Sequence, residues 1–385
     1  MSMRSKILWP VQQIRAFFSR CLRAPLWLLE GHEKSTGEPL DVVYTGDSER
    51  HQLYFARLAF GEGWKRRFLG REWLWRVPSR VKRDVPSCSL LIQEVSDENK
   101  IPYWGSRLLR SPVWLRFERQ LEPCWPQSGP HYREIGRKIR KFGLSSLVVH
   151  KESDFDEFYH HMYVPNILKR HGDSGAIQDY KSVKKIFLSG GELIFIQQAG
   201  VAVAGGLQEL SSAKSHFHSL GIRDGSESLM KLGVVEALYY FVIQRAHERG
   251  ETLVSLGSCR AFFGDGVFRF KVRLGGRVGG GHNPAFGCAY FQFLRHTPGL
   301  RAFLRENPFV SWEGQKKYQG VVFLDKAPDI EALDGMLDAK HCRGLDDITL
   351  YVFDGSETKD VVTEKERRVR ILPASSILPG NQKNG

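Results

Sequence analysis

The sequence predicts an α/β (α+β) fold, a mixed central sheet flanked by helices. Short apolar strands such as DVVYT (41–45) alternate with amphipathic helices along the chain. A hairpin-like turn at Ala199-Gly200 joins two strand-like runs. The stretch from Ser215 to Gly276 reads as strand, polar loop, long helix and strand. The chain has 385 residues, which suits two similar units plus appendages. At 42% hydrophobic and 12% aromatic it can build real cores, and this excludes general disorder. A formal charge of +13 favours phosphates, nucleic acid, acidic sugars or an anionic membrane without choosing among them. Six scattered cysteines form no CxxC pair, so we expect free thiols in a reducing compartment and no metal.

Residues 1–30 mix Arg4, Lys6, Arg15, Arg20 and Arg23 with Trp9, Phe17, Phe18 and Leu26. The segment lacks the apolar core of a signal peptide and carries too much charge to span a bilayer. It reads as a basic amphipathic helix that either lies on an anionic membrane or packs on the protein. Asp41–Thr45 is a strand and Arg50–Phe60 a helix or extended segment. From Trp64 to Arg83, basic residues interleave with Phe68, Trp73 and Trp75. That pattern serves either a stacking platform for nucleic acid or, more commonly, an ordinary strand with one wet face at Glu72–Arg76. Cys88–Val95 is a strand, and the run from Tyr103 to Phe117 reads as loop-rich.

A second rhythm begins at Pro130. It predicts a basic helix over Tyr132–Phe142, a strand over Leu144–His150, and a helix over Ser153–His171 that Pro165 kinks or ends. A helix over Ile177–Leu188 and strands Glu192–Gln198 and Val201–Leu210 follow. Next come a strand at His216–Gly221, the loop RDGSES (223–228), a helix over Leu229–Arg249 capped by Gly250, and a buried strand at Thr252–Leu256. Phe268–Arg273 (FRFKVR) alternates like an amphipathic strand. The glycine-rich run from Gly276 to Gly287 lacks the strand-then-helix context of a dinucleotide fingerprint. Ala289–Arg305 is expected as a helix, Tyr318–Leu324 as a strand, Pro328–Lys340 as a helix and Ile348–Phe353 as a strand, with a frayed end from Gly355.

Loops joining a strand to a helix amino terminus gather anions, which makes RDGSES the first place to seek a ligand. Arg223 and Lys231 flank it, either as anchors for donor phosphates or as solvated loop charge. His216 and His218 fall on one face of one strand, either as general bases or as half-exposed strand histidines. With no third ligand nearby they do not suggest a metal. Arg137, Lys138, Arg140 and Lys141 form a basic cluster that either binds the phosphates of an acceptor or is a solvated face. Cys259 reads as structural.

Several runs carry a resemblance to a known family: RKIRKFGL (137–144), FYHHMYVPNILKRHG (158–172), the hairpin at Gly200–Gly206, Leu256-Gly257-Ser258 followed by Phe270-Lys271, and RHTPGLRAFLRENP (295–308). They resemble GNAT-superfamily acyltransferases of the branch holding Fem-type aminoacyltransferases and the acetyltransferases linked to exopolysaccharide and cellulose synthesis. The resemblance implies a GNAT fold. It sets a degenerate GNAT-like domain at 31–130 before a complete, catalytic one at 131–312, then a β-α-β extension at 313–354 and a flexible tail at 355–385. It implies that Lys271 stabilises the oxyanion, and His216 or His218 is the base expected beside it. Tyr163, Ser258 and Phe270, together with Arg137, Arg140 and Lys141, are expected to meet the acceptor. Arg223, Ser226, Ser228, Lys231 and Gly233 would then hold acetyl-CoA or another acyl-CoA as co-substrate. The chain departs from the family's Q/R-x-x-G-x-G/A loop, because Glu227–Gly233 (ESLMKLG) keeps only Gly233. The expected activity is acyl transfer to a cell-envelope or exopolysaccharide sugar or amino-sugar precursor, by direct attack of the acceptor on the donor. The departure leaves room for an aminoacyl-tRNA donor acting on a peptidoglycan precursor, and a third alternative is an inactive GNAT-like module that binds nucleic acid or a membrane partner. The expected location is cytoplasmic, peripheral at the inner face of the membrane through residues 1–30.

Overall fold

The computed structural model describes residues 23–95, 108–125, 129–172, 177–211, 214–279, 287–313, 317–340, 344–355 and 357–379. Within them the strands are β1 (Arg23–His32), β2 (Pro39–Thr45), β3 (Lys65–Trp73), β4 (Leu90–Val95), β5 (Leu108–Pro112), β6 (Leu115–Gln120), β7 (Leu144–Val149), β8 (Glu192–Gln198) and β9 (Val201–Glu209). They continue with β10 (His216–Ile222), β11 (Leu253–Cys259), β12 (Arg277–Val278), β13 (Cys288–Phe293), β14 (Phe309–Glu313), β15 (Lys317–Leu324), β16 (Asp347–Val352), β17 (Lys359–Val362) and β18 (Arg368–Pro373). The chain divides into two compact units. Unit 1 comprises 1–115, 260–265 and 280–385, and unit 2 comprises 116–259 and 266–279.

Unit 1 contains a six-stranded mixed sheet in the order β3-β1-β2-β4-β13-β5 and a five-stranded one in the order β14-β15-β16-β18-β17. The apolar runs Val42-Val43-Tyr44 of β2 and Leu90-Leu91-Ile92 of β4 follow from burial on both faces. Val42, Leu90 and Ile92 join Phe55 and Ala56 of the helix Glu49–Ala59 and Phe303 of the helix Pro298–Glu306. The alternate residues Val43 and Leu91 pack with Leu26, Leu28, Val77 and Val81 against the helix Val77–Asp84. Strand β3 is the edge, with Lys65, Arg66, Arg67 and Phe68 exposed.

Unit 2 is a seven-stranded mixed sheet in the order β12-β6-β11-β10-β9-β8-β7. Strands β7 to β10 pair antiparallel in sequence. The helix Val234–Glu248 then carries the chain to β11, which lies parallel to β10. Phe155, Phe158, Met162, Val183 and Phe187 pack with Leu193 and Leu207 in one core. The elements follow the expected order from the helix Pro130–Lys141 through β11, after which a helix, Gly266–Arg273, takes the place of the expected closing strand. Ionic bonds fix the far end of the long helix: Glu192 binds Arg245 at 2.9 Å and Arg249 at 3.0 Å, and Glu251 binds Arg249 and the backbone of Ser215 at 2.8 Å.

Several expectations are corrected. Residues 23–30, grouped with the amphipathic N-terminal segment, form β1 and pair with both β2 and β3, while 1–22 lie outside the described residues. The loop-rich run supplies β5 and β6, and Trp73 ends a strand that turns into a single 3-10 turn, Leu74–Arg76. The helix expected at Ala289–Arg305 is instead β13 followed by the helix Pro298–Glu306, capped by Thr297. Strand β13 lies between β4 and β5, so its apolar run belongs to an interior strand. The helix expected from Leu229 breaks at Gly233 (φ +87°) into Glu227–Lys231 and Val234–Glu248. The segment 355–379, expected as a tail, contributes β17 and β18.

Candidate active site between two parallel strands

The parallel ladder between β10 and β11 has one registered pair, His216 opposite Ser255. Two local features end it. On β10, the register with β9 slips between Phe217 and Ser219, so His218 is the extra residue of a bulge. On β11, Gly257 has φ +79°, and a Cβ there would stand 2.7 Å from the carbonyl oxygen of Phe217. Only glycine fits that conformation and that approach. Beyond the pair, β10 runs on to Ile222 and β11 to Cys259. A gap at the carboxyl ends of parallel strands is where open α/β sheets admit ligands.

The residues around this gap are polar: Lys271, Ser219 and Ser255 are buried, and His216, His218 and Ser258 half-buried. Lys271 is 1% exposed and donates from Nζ to the carbonyl oxygen of Ser258 at 2.8 Å. Its Nζ is also 3.6 Å from where a Gly257 Cβ would stand. The element that carries it is a correction: Phe268–Arg273 belongs to a helix, Gly266–Arg273, and not to a strand. The buried residues are Phe268 and Lys271, three apart, which is helical spacing. Phe268 meets Phe117 edge-on at 5.0 Å, whereas Phe270 packs on Tyr239 at 5.1 Å.

His216 Nδ1 and Ser255 Oγ share a hydrogen bond of 2.7 Å, as do His218 Nδ1 and Ser219 Oγ. The two imidazoles lie 6.2 Å apart, edge to face. Burial, then the charges of Arg116, His218, Lys271 and Lys214, lower His216 to about 4. Burial lowers His218 as well, opposed by Glu209. Three cations thus bear on one imidazole, and one of them, Lys214, is paired with Glu118. Tyr163 stands at the end of a π-helical turn, Tyr159–Tyr163, that rests directly on β10. A Cβ on Gly221 would overlap the Met162 and Tyr163 backbone. Burial raises the Tyr163 phenol, offset by hydrogen bonds from Gln178 and Ser219.

The RDGSES loop is knit to its surroundings. Arg223 binds the carbonyl oxygen of Ala202 at 2.6 Å and Glu157 at 2.5 Å, so turning it to a donor phosphate would break that pair. Asp224 (φ 52°) and Gly225 (φ 58°) bend the chain against the Pro165 carbonyl and Lys169. Ser226 caps the short helix and bonds Ser228 at 2.8 Å. Lys231 is exposed. Beside Gly233 lies the Lys138 stem, whose ammonium pairs with Glu134 and Glu236. Arg137, Arg140 and Lys141 are exposed on the helix Pro130–Lys141.

The structure therefore brings His216, His218, Ser258 and Lys271 to one gap, with Tyr163 linked to it through Ser219. Sequence reasoning missed Ser219, Ser255, Arg116 and Lys214, and quoted Gly257 without its role as a kink. A serine inside the apolar run LVSL was the available signal for Ser255. Cys259 is buried, with Cys88 and Cys288. Among the described residues no group of three or more His, Cys, Asp or Glu is placed to hold a metal ion, and no helix is long and apolar enough to cross a membrane.

No family model matches the sequence, and no curated protein matches it. Solved structures do resemble it. L-PGS from Bacillus licheniformis aligns over 72% of this chain and 87% of its own, at 12% identity and a TM-score of 0.31. A GCN5-related N-acetyltransferase from Sphaerobacter thermophilus aligns over 68% and 78%, at 14% identity and 0.32. A GCN5-related N-acetyltransferase-like protein from Streptococcus suis aligns over 70% and 83%, at 10% identity and 0.28. Overlaps this loose decide no activity, and the site geometry has to carry the reading.

Proposed function

We propose that unit 2 is a GNAT-type acyltransferase whose reaction takes place in the gap between β10 and β11. One observation carries the reading: a buried ammonium, Lys271, is tethered at the Gly257 kink where the ladder stops. Burying a charge is costly unless it is compensated, so a lysine kept at that point serves a local need.

The chemistry follows from what acyl transfer requires. An acceptor amine or hydroxyl attacks the donor carbonyl, the carbonyl oxygen gains negative charge, and the carbon–sulfur bond of a thioester breaks as the thiolate leaves. The Lys271 ammonium, with Arg116 and Lys214 nearby, opposes the developing oxyanion charge. The acceptor's proton goes to an imidazole and from there to the thiolate. At about 4, His216 is too weak a base to be efficient at neutral pH. We assign proton acceptance to His218, fixed at the bulge by Ser219, and give His216 and Ser255 the role of holding the strands in register.

The donor we favour is an acyl-CoA and the acceptor a cell-envelope sugar or amino-sugar precursor. The exposed Arg137, Arg140 and Lys141 suit an acceptor that carries phosphate, and the charge of +13 suits work near an anionic surface on the cytoplasmic side. Thermal-shift titration with acetyl-CoA, longer acyl-CoAs and total tRNA tests this. Stabilisation by a CoA ester is the expected result. A response to tRNA alone would replace the thioester donor by an aminoacyl one, and no response to any donor would remove the reading.

A further inference from the structure

Unit 1 holds a second polar cluster, which acyl transfer in unit 2 leaves unused. His51, on the helix Glu49–Ala59, bonds through Nδ1 to Glu94 Oε1 at 2.5 Å. Tyr44 on β2 donates its hydroxyl to the other oxygen of the same carboxylate. Arg260 lies over Trp114, its Cζ 4.0 Å from the ring centre, and over Tyr54 at 4.8 Å. The Tyr54 hydroxyl donates to Asp265 at 3.2 Å, and His51 sits edge-on to Trp114 at 6.0 Å.

These groups border a cavity of about 40 Å³, lined by Tyr44, His51, Tyr54, Ser111 and Arg260 with an aromatic floor that includes Phe262 and Phe291. A space of that size takes a group of a few heavy atoms and excludes a nucleotide. The two carboxylates are absent from the lining: Glu94 and Asp265 stand behind it, each bonded to side chains that do line it. The polar side chains left to meet a ligand are an imidazole and a guanidinium, since the Tyr44 and Tyr54 hydroxyls donate to the carboxylates. Burial, with Glu94 beside it, holds the Tyr44 phenol well above its usual range, so it keeps its proton and spends it on Glu94. Arg260 is lowered by burial yet stays charged, as guanidinium does in proteins. A carboxylate behind His51 orients the ring and leaves Nε2 for a ligand, the arrangement that makes an anchored imidazole a good binding or proton-transfer group.

We propose that this cavity binds a small oxyanion, a carboxylate or phosphate group, held between His51 Nε2 and the Arg260 guanidinium with its apolar remainder against the aromatic floor. Calorimetric titration of the full chain at about pH 6 and constant ionic strength, with sodium acetate and separately with inorganic phosphate, tests it. One of the two is expected to bind saturably, and which one identifies the group. His51→Gln and Arg260→Lys should each weaken that binding by about tenfold or more, the effect of losing a charge-assisted hydrogen bond. Lys271→Met, in the other unit, should leave it unchanged. Absence of saturable binding by both anions overturns the proposal. So does wild-type affinity in both cavity variants, or a loss in Lys271→Met equal to theirs. If His51→Gln does not melt cooperatively, Arg260→Lys decides.

Discussion

Lys271 is a charged side chain in an interior position, and its two plausible duties separate by experiment. Lys271→Ala removes the ammonium and the three methylenes beyond Cβ from a site that is 1% exposed, so it should lower both turnover and stability. Lys271→Met keeps the volume. Its expected signature is a fall in turnover of about 10²–10³-fold, the cost of one lost oxyanion donor, with cooperative unfolding retained. Turnover near the wild-type rate in Lys271→Met, measured with melting curves on the same samples, would reduce Lys271 to a tether for β11. The histidines divide in the same way. His218→Ala should cost about 10²-fold or more in turnover, and His216→Gln much less, if His218 is the proton acceptor. His216 has a second signature. Its folded value, about 4, lies below the unfolded 6.5, so the unfolded chain binds the proton more readily and stability falls as pH drops from about 6.5 toward 4. At about pH 5 this one group should remove about 2 kcal/mol relative to neutral pH. Urea midpoints at the two pH values should therefore shift less in His216→Gln than in the wild type, and equal shifts would contradict the assignment.

At the scale of elements, a bulge at His218 and a glycine at 257 set the gap. Gly257→Ala places a Cβ in left-handed backbone 2.7 Å from the Phe217 carbonyl, and should cost about 1–3 kcal/mol while disordering the approach of Lys271. A denaturation midpoint and turnover that both match the wild type would refute the role given to the kink. Much of this framework is legible in the sequence. The hairpin between β8 and β9 shows in Ala199-Gly200 (Ala199 has φ 50° and Gly200 φ 80°), and the paired histidines show in the period of β10. What is not legible has physical causes. FRFKVR is too short to separate a two-residue period from a three-residue one, and only the packing of Phe268 on Phe117 selects the helix. β13 is an interior strand, and its apolar run Cys288-Ala289-Tyr290-Phe291 fits a buried helix equally well. The π-helical turn leaves no signature beyond Gly221, whose missing side chain it needs. Tyr44, His51, Glu94 and Arg260 are scattered across more than two hundred positions, so only folding assembles their cavity.

For the whole molecule, a donor that binds the native chain at about 100 times its Kd should add about 2.7 kcal/mol of stability, which a thermal-shift titration reads directly. Unit 1 is discontinuous: the chain leaves it after 115, returns for 260–265, and comes back from 280. No composition shift marks those crossings, so a linear reading places its boundaries elsewhere. The same unit ends its larger sheet at β3, where Lys65, Arg66 and Arg67 stand exposed beside Phe68. An edge strand offers its outer backbone to any other extended chain, and Arg80 already takes the carbonyl oxygens of Leu69 and Arg71 at one end of β3. Three consecutive cations make that approach repulsive between copies of the protein, so what looks in the sequence like a ligand-seeking stretch also works as insulation. Salt above about 0.5 M, where screening acts within a few ångströms, should weaken it. Replacing all three by threonine should then raise light scattering on standing at neutral pH, whereas Thr replacements at the exposed Arg137 and Arg140, which lie on a helix, should not.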